Sequence, residues 1–470
     1  MTATTKRRLF LLTVGAVTAV VAPVFVSRWQ DEGRYRAAVA RLNADDPYWR
    51  LDDRAEHLRA EPLPDDANIA GPLAAAHAAL GRLDANWRGW HEERTRGLVP
   101  NVRLTPEQWR STIEAVEAHE DAILPTLDLD RYPRGRFDFE YAPNGVQVAV
   151  PHFNHIHQLD GWLLEPLYLA AVQRGDAATA LRAIRVRLNF SRSLAEVPTV
   201  YGPLSRNRYR ALVVTDLERL LGHVELSDTQ LATIERDLRR ELDDDLWPQL
   251  IRSELATTDR VMTAIGNGLI MPSDTRKFGP IPVARGQVPL DDFRYWIRDR
   301  TGIHVAAQHA ELLEINAAAV ATGRLAWPAR WAAVQALPRR YDPARPELVR
   351  WLTADFARLY VQFALDEARL RSAAVALAIE RYRRANGDWP KSLADVGPLP
   401  DDPFTGKPLA YRRTTDGVAV YSLSFDGKDD GGAMIDPRYY DRTGAGAWPD
   451  DVGFRLYDVK RRNLPPGDKP

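Results

Sequence analysis

An acidic, glycine-rich loop near the C-terminus carries the side chains best suited to chemistry. Asp426, Asp429 and Asp430 lie in the stretch VYSLSFDGKDDGG, and Asp450 and Asp451 return after DPRYYDRTGAGAWP. Calcium takes about six to eight oxygen ligands in a flexible geometry, which carboxylates on such a loop can supply. An ion held here would stabilise the fold and leave no open position for catalysis. The alternative interpretation is a solvated turn whose aspartates cap the backbone.

Three histidines lie close together in the stretch PHFNHIHQLD, and imidazole is a good ligand for zinc or nickel. On a helix His152 and His155 share a face, whereas His157 points about 200° away from His155. On a strand only His155 and His157 share a face. The pattern therefore favours a helix that begins at Pro151 with the histidines on its rim, and a metal site is the alternative.

A second histidine-containing stretch, IHVAAQHAELLEIN, includes His304, His309, Glu311 and Glu314. A di-iron helical bundle needs Glu-x-x-His on paired helices, and that order is absent. The chain also lacks the H-E-x-x-H pattern of metalloproteases, the G-x-S-x-G pattern of hydrolases and a Walker loop. The sequence therefore identifies no catalytic residue.

Composition excludes several other classes of function. The 470 residues include 63 basic and 64 acidic side chains, for a formal net charge of -1, so no overall field attracts nucleic acid. There is no cysteine, which excludes disulfides, thiol nucleophiles and thiolate zinc sites. Hydrophobic residues make up 45% of the chain and charged residues 27%, as in an ordinary folded protein.

The N-terminus predicts attachment to a membrane. Lys6, Arg7 and Arg8 precede an uncharged, apolar run over residues 9–26. Eighteen helical residues extend about 27 Å, which is close to the thickness of the hydrocarbon core of a bilayer. Basic residues before the run predict a cytoplasmic N-terminus and a body on the periplasmic side. Trp29 then lies at the membrane interface.

Residues 1–30 also permit a cleaved export signal. The order of Arg7, Arg8, Phe10 and Leu11 resembles a twin-arginine signal. No small-x-small cleavage site follows the run cleanly, so a retained anchor is the favoured interpretation.

Residues 31–345 are predicted to form an α-helical domain. One helix is expected to begin with Thr105 as N-cap and Pro106 at the first helical position, and another with Ser227 as N-cap. Glycine and proline interrupt the helical pattern over residues 265–300, which predicts a long loop or a lid.

A helical hairpin is expected around Arg174, Gly175 and Asp176. The stretch AAVQRGDAATALRAI resembles the turn and second helix of a tetratricopeptide-type repeat. A second copy about 34 residues away is absent, so the expected arrangement is loosely stacked antiparallel hairpins and not a regular solenoid.

The chain changes character over about its last hundred residues. Residues 346–386 have apolar side chains at helical spacing and predict a long connecting helix that ends at Gly387. Residues 387–470 are rich in proline, glycine and aspartate and predict a tail with a β-hairpin, whose tight turn is at Asp416 and Gly417.

Residues 375–455 resemble the C-terminal module of type II secretion major pseudopilins. That module has a helix with a characteristic ending, then an aspartate-proline-aromatic turn, then a tyrosine-bearing strand and an acidic calcium loop. The matching positions in this chain are Tyr382, Asn386, Gly387 and Pro390, then Asp402, Pro403, Phe404, Gly406 and Pro408, and finally Tyr421, Ser422, Leu423, Asp426 and Gly427.

This resemblance implies that Asp426, Asp450 and Asp451 are the carboxylates that bind calcium. Two features differ from the family: the spacing between these aspartates is longer, and no prepilin-type GFTLIE-like segment follows Arg8. Assembly into a pilus by the usual route is therefore not expected. The whole chain also resembles a class of bacterial membrane-anchored proteins, through DPYWRLDD and PDDANIAGPL, and this resemblance implies no function.

The predicted fold class is mainly α, with an N-terminal transmembrane helix, stacked helical hairpins and a small C-terminal α+β module. The expected function is that of a non-catalytic scaffold of the cell envelope that binds an unidentified protein partner. One alternative is an accessory protein of a secretion or pilus system. The other is a metal-dependent envelope hydrolase that uses the histidines at 152–157, with 265–300 as a lid.

Overall fold

Helices form most of the structure, a computed structural model, and a small antiparallel sheet lies near the C-terminus. The residues that the structure describes are 25–61, 63–81, 98–138, 140–141, 148–271, 305–434 and 451–467. The prediction of a mainly α fold with a small C-terminal β element is confirmed.

The helices before residue 272 stack largely as neighbours in sequence. Their bounds are α1 (25–45), α2 (Leu51–Ala60), α3 (Ala70–Ala79), α4 (Pro106–Glu117), α5 (Glu120–Leu127), α6 (Pro151–Leu159), α7 (Glu165–Arg174), α8 (Ala177–Ser193), α9 (Tyr201–His223), α10 (Asp228–Leu242) and α11 (Leu246–Gly266). Between α6 and α7 the chain forms a π-helical turn, Asp160–Leu164, so the two helices are continuous. After the gap follow α12 (Val305–Thr322), α13 (Trp327–Gln335), α14 (Glu347–Leu352) and α15 (Phe356–Asn386).

Local capping explains where several helices begin. Thr105 and Gln108 form a capping box at the start of α4, and Ser227 and Gln230 form another at the start of α10. Each box satisfies backbone N–H groups that have no partner within the helix. Both predicted N-caps are confirmed, and α6 begins at Pro151 as expected.

The turn between α7 and α8 is the predicted helical hairpin. Gly175 has a φ of 73°, in the left-handed region that favours glycine, and ends α7. Asp176 caps α8 by accepting a hydrogen bond from the Thr179 backbone N–H at 3.0 Å.

The connecting helix is interrupted once. The backbone is extended at Thr353, and Asp355 then caps α15 through the Arg358 N–H, so α14 and α15 are separate helices. α15 has 31 residues and ends at Gly387, whose φ is 79°. The predicted end of this helix is confirmed, whereas the predicted single helix over 346–386 is divided in two.

Two sheets are present among the described residues. The C-terminal sheet contains β3 (Ala410–Arg413), β4 (Gly417–Ser422) and β5 (Val452–Tyr457) in antiparallel order β3–β4–β5. The hairpin of β3 and β4 was predicted, and the third strand was not. A short antiparallel pair, β1 (Glu140–Tyr141) with β2 (Val148–Ala149), lies within the domain predicted as helical.

α15 joins the two largest hydrophobic cores. Its first half, with Phe356, Tyr360 and Phe363, packs with α11, α12 and α14 around Trp247. Its second half packs with α9 and α10, and also with the apolar side chains of β4 and β5. At about 1.5 Å per residue α15 is about 46 Å long, enough to reach through both cores. The C-terminal tail therefore shares a core with the helical body.

The predicted membrane helix lies outside the described residues, apart from Phe25 and Val26 at the start of α1. Among the helices that the structure does describe, none combines the length and apolar character needed to cross a bilayer.

Because the tail and the body share a core, we expect Phe454→Ala to destabilise both together. Phe454 is buried in β5 opposite Val420, and loss of a buried phenyl ring costs about 3–5 kcal/mol. Urea unfolding followed by circular dichroism should show a single transition at lower urea. The exposed Lys460→Ala is the control and should leave the midpoint unchanged. A separate early transition of the tail, with the helical signal unaffected, would contradict the shared core.

Candidate functional site

The acidic loop follows β4 and begins with Asp426. Its carboxylate accepts a hydrogen bond from the Lys428 backbone N–H at 3.0 Å and lies 3.4 Å from the Lys428 ammonium group. The backbone hydrogen bond, followed by the lysine charge, holds the pKa of Asp426 below its usual range. Asp426 is thus engaged in a local turn.

Asp429 closes the next turn of the loop. Its Oδ1 atom accepts hydrogen bonds from the Gly431 N–H and from the Tyr421 hydroxyl, both at 2.9 Å. These bonds lower the pKa of Asp429. Burial, assisted by the carboxylate of Asp429, raises the pKa of Tyr421 to about 12, so the phenol keeps the proton it donates.

Asp451 lies immediately before β5 and is fully buried. Its Oδ2 atom accepts a hydrogen bond from the Gly432 N–H at 2.7 Å, whereas its Oδ1 atom has no hydrogen-bond partner among the described residues. Burial, and then repulsion by Asp429 and Asp430, raises the pKa of Asp451 to about 6. The Asp451 carboxyl thus feels the negative charges of two other carboxylates, and carboxylate oxygens are the ligands that hard cations take.

Asp451 therefore interacts electrostatically with Asp429 and Asp430, whereas the Asp426 carboxylate faces Lys428. Asp450, the third carboxylate expected to bind calcium, lies outside the described residues. Within the described ranges, which leave out 435–450, no group of three or more carboxylates or imidazoles is already placed to hold a metal ion. The carboxylate oxygens of the loop are of the type that calcium binds. In the described residues they are not arranged around a single point.

The histidines of α6 face different neighbours. His152 is buried and stacks on Phe137 with ring centroids 3.8 Å apart, and burial lowers its pKa to about 4. His155 stacks on His77 of α3 at 4.0 Å, and burial, then the proximity of His77, lowers the pKa of His155. His157 is exposed. The three side chains do not converge.

The second histidine-containing stretch takes part in ion pairs. His309 Nε2 lies 2.9 Å from Asp259 Oδ1 in a buried contact between α11 and α12. Glu311 pairs with Arg345, and Glu314 pairs with Arg34 of α1. His304 lies outside the described residues.

A buried cluster of charges around Arg187 was not predicted. Arg187 lies on α8 with 1% of its surface exposed. Its Nε atom donates to Asp160 Oδ1 at 2.7 Å, and its two terminal nitrogens donate to Asp216 of α9 and Glu165 of α7. The Tyr168 hydroxyl donates to the backbone carbonyl of Asp216. One guanidinium therefore binds three carboxylates from three other segments.

The charges of this cluster do not balance. Three ionised carboxylates against one guanidinium leave a formal charge of about -2 in a medium of low polarity. Burial, and then the Glu165 charge, raise the pKa of Asp216 to about 7 against the opposing effect of Arg187. The same carboxylates hold the pKa of Arg187 well above its ordinary value despite burial. One of the acidic groups thus takes up a proton close to neutral pH.

A second set of buried ion pairs continues from the first along α8 and α9. Arg192 and Arg210 each donate to one oxygen of Glu241, at 2.6 and 2.8 Å, and Glu241 is 2% exposed. Arg206 pairs with Asp244, which follows α10. These contacts attach α10 and the start of α11 to the helices before them.

A cavity of about 10 Å³ lies beside Arg210, between α9, α11 and α15. It has room for one water molecule and is too small for a substrate. Asn207 and Asp366 line it and are hydrogen-bonded to each other at 2.6 Å. Burial raises the pKa of Asp366 to about 6.

One sequence signal could have revealed the Arg187 cluster. Ala180, Ala183, Ile184, Leu188 and Ser191 are all buried, so Arg187 occupies the core-facing stripe of α8. A basic residue in such a stripe needs buried acidic partners. The sequence alone does not say which acids these are.

We expect Asp216→Asn to change how stability depends on pH. Because the folded carboxyl binds its proton more tightly than an unfolded one of pKa about 3.9, the wild type should lose stability as pH rises from about 4 through about 7. The asparagine variant lacks this loss, on the order of 2–4 kcal/mol. Urea unfolding at pH 5, 6, 7 and 8 measures it. The exposed Asp66→Asn is the control, and parallel curves for wild type and Asp216→Asn would contradict the assignment.

The chain has no match among family models, curated proteins or solved structures. The resemblance of residues 375–455 to pseudopilins therefore stays a prediction. Conclusions about function rest on the contacts within this chain.

Proposed function

We propose that this protein is a membrane-anchored, non-catalytic scaffold of the cell envelope. Residues 9–26 insert as a single helix, the N-terminus remains cytoplasmic, and the body lies on the periplasmic side and binds a protein partner. The basic-then-apolar order of the N-terminus motivates the anchor.

The observation that carries this proposal is the docking of α1 against α11 and α12. The Tyr35 ring packs at a tilt of 38° against His309 with ring centroids 4.6 Å apart, and Arg34 donates to Glu314. Apolar side chains of α1, including Ala38 and Leu42, pack against Leu313. A helix held this firmly would transmit the position of a membrane anchor to the whole body.

The interior supports a structural role for the buried charges. Arg187, Glu241 and Glu380 each bind partners from several elements, and the cavity beside Arg210 has room only for one water molecule. For the alternative of a metal-dependent hydrolase, the histidines of α6 provide no support because they face different neighbours.

A second candidate is an accessory protein of a secretion or pilus system. One observation favours it: the order of elements in the tail agrees with the order that the pseudopilin resemblance implies. A long helix ends at Gly387, a turn follows in which Asp402 accepts from the Phe404 N–H at 2.8 Å, and the tyrosine-bearing strands lead into the acidic loop. The buried Oδ1 atom of Asp451, which has no donor within the described ranges, supports a structural calcium ion in that loop.

To test the anchor, we expect the full chain to remain in the membrane fraction after an alkaline carbonate wash. The double substitution Val17→Arg and Val20→Arg should release it, because each charge costs about 2.5–3.5 kcal/mol at the centre of a membrane helix. The matched substitutions Val17→Leu and Val20→Leu should keep it bound. A mature protein that begins near residues 20–30 and is soluble after lysis would refute the anchor.

To test the ion, we expect calcium to raise the thermal midpoint of the wild type at pH 7.5, where the Asp451 carboxyl is ionised. At a free calcium concentration about 100 times the dissociation constant, the gain is about 2.7 kcal/mol. Asp451→Asn should abolish the gain, and Asp426→Asn should retain it because Asp426 is engaged with Lys428. Equal midpoints for the wild type with and without calcium would mean that the loop is only a turn.

A further inference from the structure

Two short segments contribute half of the large apolar side chains that the described residues expose. The first segment is the start of α1, and the second follows the end of α11. The side chains and their exposed fractions are Phe25 at 66%, Val26 at 54%, Trp29 at 73%, Leu269 at 56% and Met271 at 39%. We refer to these five residues as the apolar pole.

Contacts along α1, α11 and α12 place both segments at the same end of the molecule. Tyr35 meets His309 near the start of α12, and Asp45 meets Arg324 just after its end, so α1 and α12 run parallel. α11 runs antiparallel to α12, because Asp259 meets His309 and Trp247 meets Thr322. The beginning of α1 and the end of α11 therefore point the same way.

The two segments also extend a similar distance along the common helix axis, measured from His309. Trp29 lies six residues before Tyr35, which is about 9 Å along the helix axis. The last residue of α11, Gly266, lies seven residues after Asp259, which is about 10 Å in the same direction. The Leu269 N–H then donates to the Ala264 carbonyl at 2.9 Å, which folds Leu269 back to the level of the helix end.

We propose that the apolar pole forms a second membrane contact. It would rest on the surface of the same bilayer that residues 9–26 span. This inference rests on the proposed anchor and extends it. The apolar run ends at Val26, and Val26 itself belongs to the pole. Insertion of the run would therefore place the pole against the bilayer surface. Leu269 and Met271 enter the interfacial region beside Trp29, and the body is held at two points.

The contact is apolar in character. Arg28 carries a positive charge at the pole, but the negative charges of Asp31 and Glu32 follow within about one turn of α1. These side chains therefore give the pole no net attraction to anionic lipid. Insertion of Leu269 and Met271 should therefore not respond to salt.

The absence of cysteine makes a direct test possible in the full chain. Leu269→Cys carries an environment-sensitive NBD fluorophore, and the chain is reconstituted in vesicles of zwitterionic phosphatidylcholine. Leu325→Cys is the matched control, because this leucine is also exposed but lies beyond Thr322, at the opposite end of α12. Flotation of the vesicles measures membrane attachment separately, and thermal unfolding checks that each labelled variant is folded.

We expect NBD at residue 269 to shift to shorter wavelength on reconstitution and to be quenched by spin-labelled lipid, at both low and high salt. NBD at residue 325 should show neither effect. A chain that floats with the vesicles while residue 269 behaves like residue 325 would overturn the second contact and leave the anchor intact. A chain that does not float would overturn both.

Discussion

The guanidinium group of Arg187 fixes how four consecutive segments of the helical body meet. It draws in Asp160 from the π-helical turn, Glu165 from α7 and Asp216 from α9, while Arg187 itself belongs to α8. Removal of one partner from such a buried cluster lowers the free energy of unfolding by more than the intact cluster adds to it. The reason is that the remaining charges stay buried without a partner. A packing that separated Arg187 from these acids would leave buried charges unpaired, so the cluster disfavours such packings.

The same principle attaches the C-terminal tail. Glu380 of α15 is fully buried and accepts hydrogen bonds from Arg383 within its own helix and from Arg462 after β5. Backbone hydrogen bonds then join Asn463 to Gly222 and Leu464 to Asn101. The chain end is thereby fastened to α9 and to the segment before α4. A tail held by a buried ion pair and a shared core cannot respond to an ion independently of the body.

The buried polar groups of the protein are of two kinds: those in ion pairs between helices, and the Asp451 carboxyl of the acidic loop. Buried arginines and their acids hold helices together, and the raised pKa of Asp216 follows from burial and from the neighbouring negative charge. Asp451 differs, since one of its buried oxygens has no donor in the described part of the chain, and the charges of Asp429 and Asp430 raise its pKa further. Perturbed titration alone does not identify a site of function. The Asp451 Oδ1 atom, which accepts no hydrogen bond from the described residues, is what distinguishes the acidic loop from the Arg187 cluster.

Local features of the structure could be predicted from the sequence, because each depends on residues within about four positions of one another. Thr105 and Ser227 start helices, Gly387 ends one, and Asp416 with Gly417 turns a hairpin. Contacts between distant residues could not be predicted in this way. The pairing of β5 with β4, the three acids around Arg187 and the proximity of Asp451 to Asp429 join residues 20 or more positions apart. Their identity depends on which surfaces pack together, and only the tertiary structure decides that.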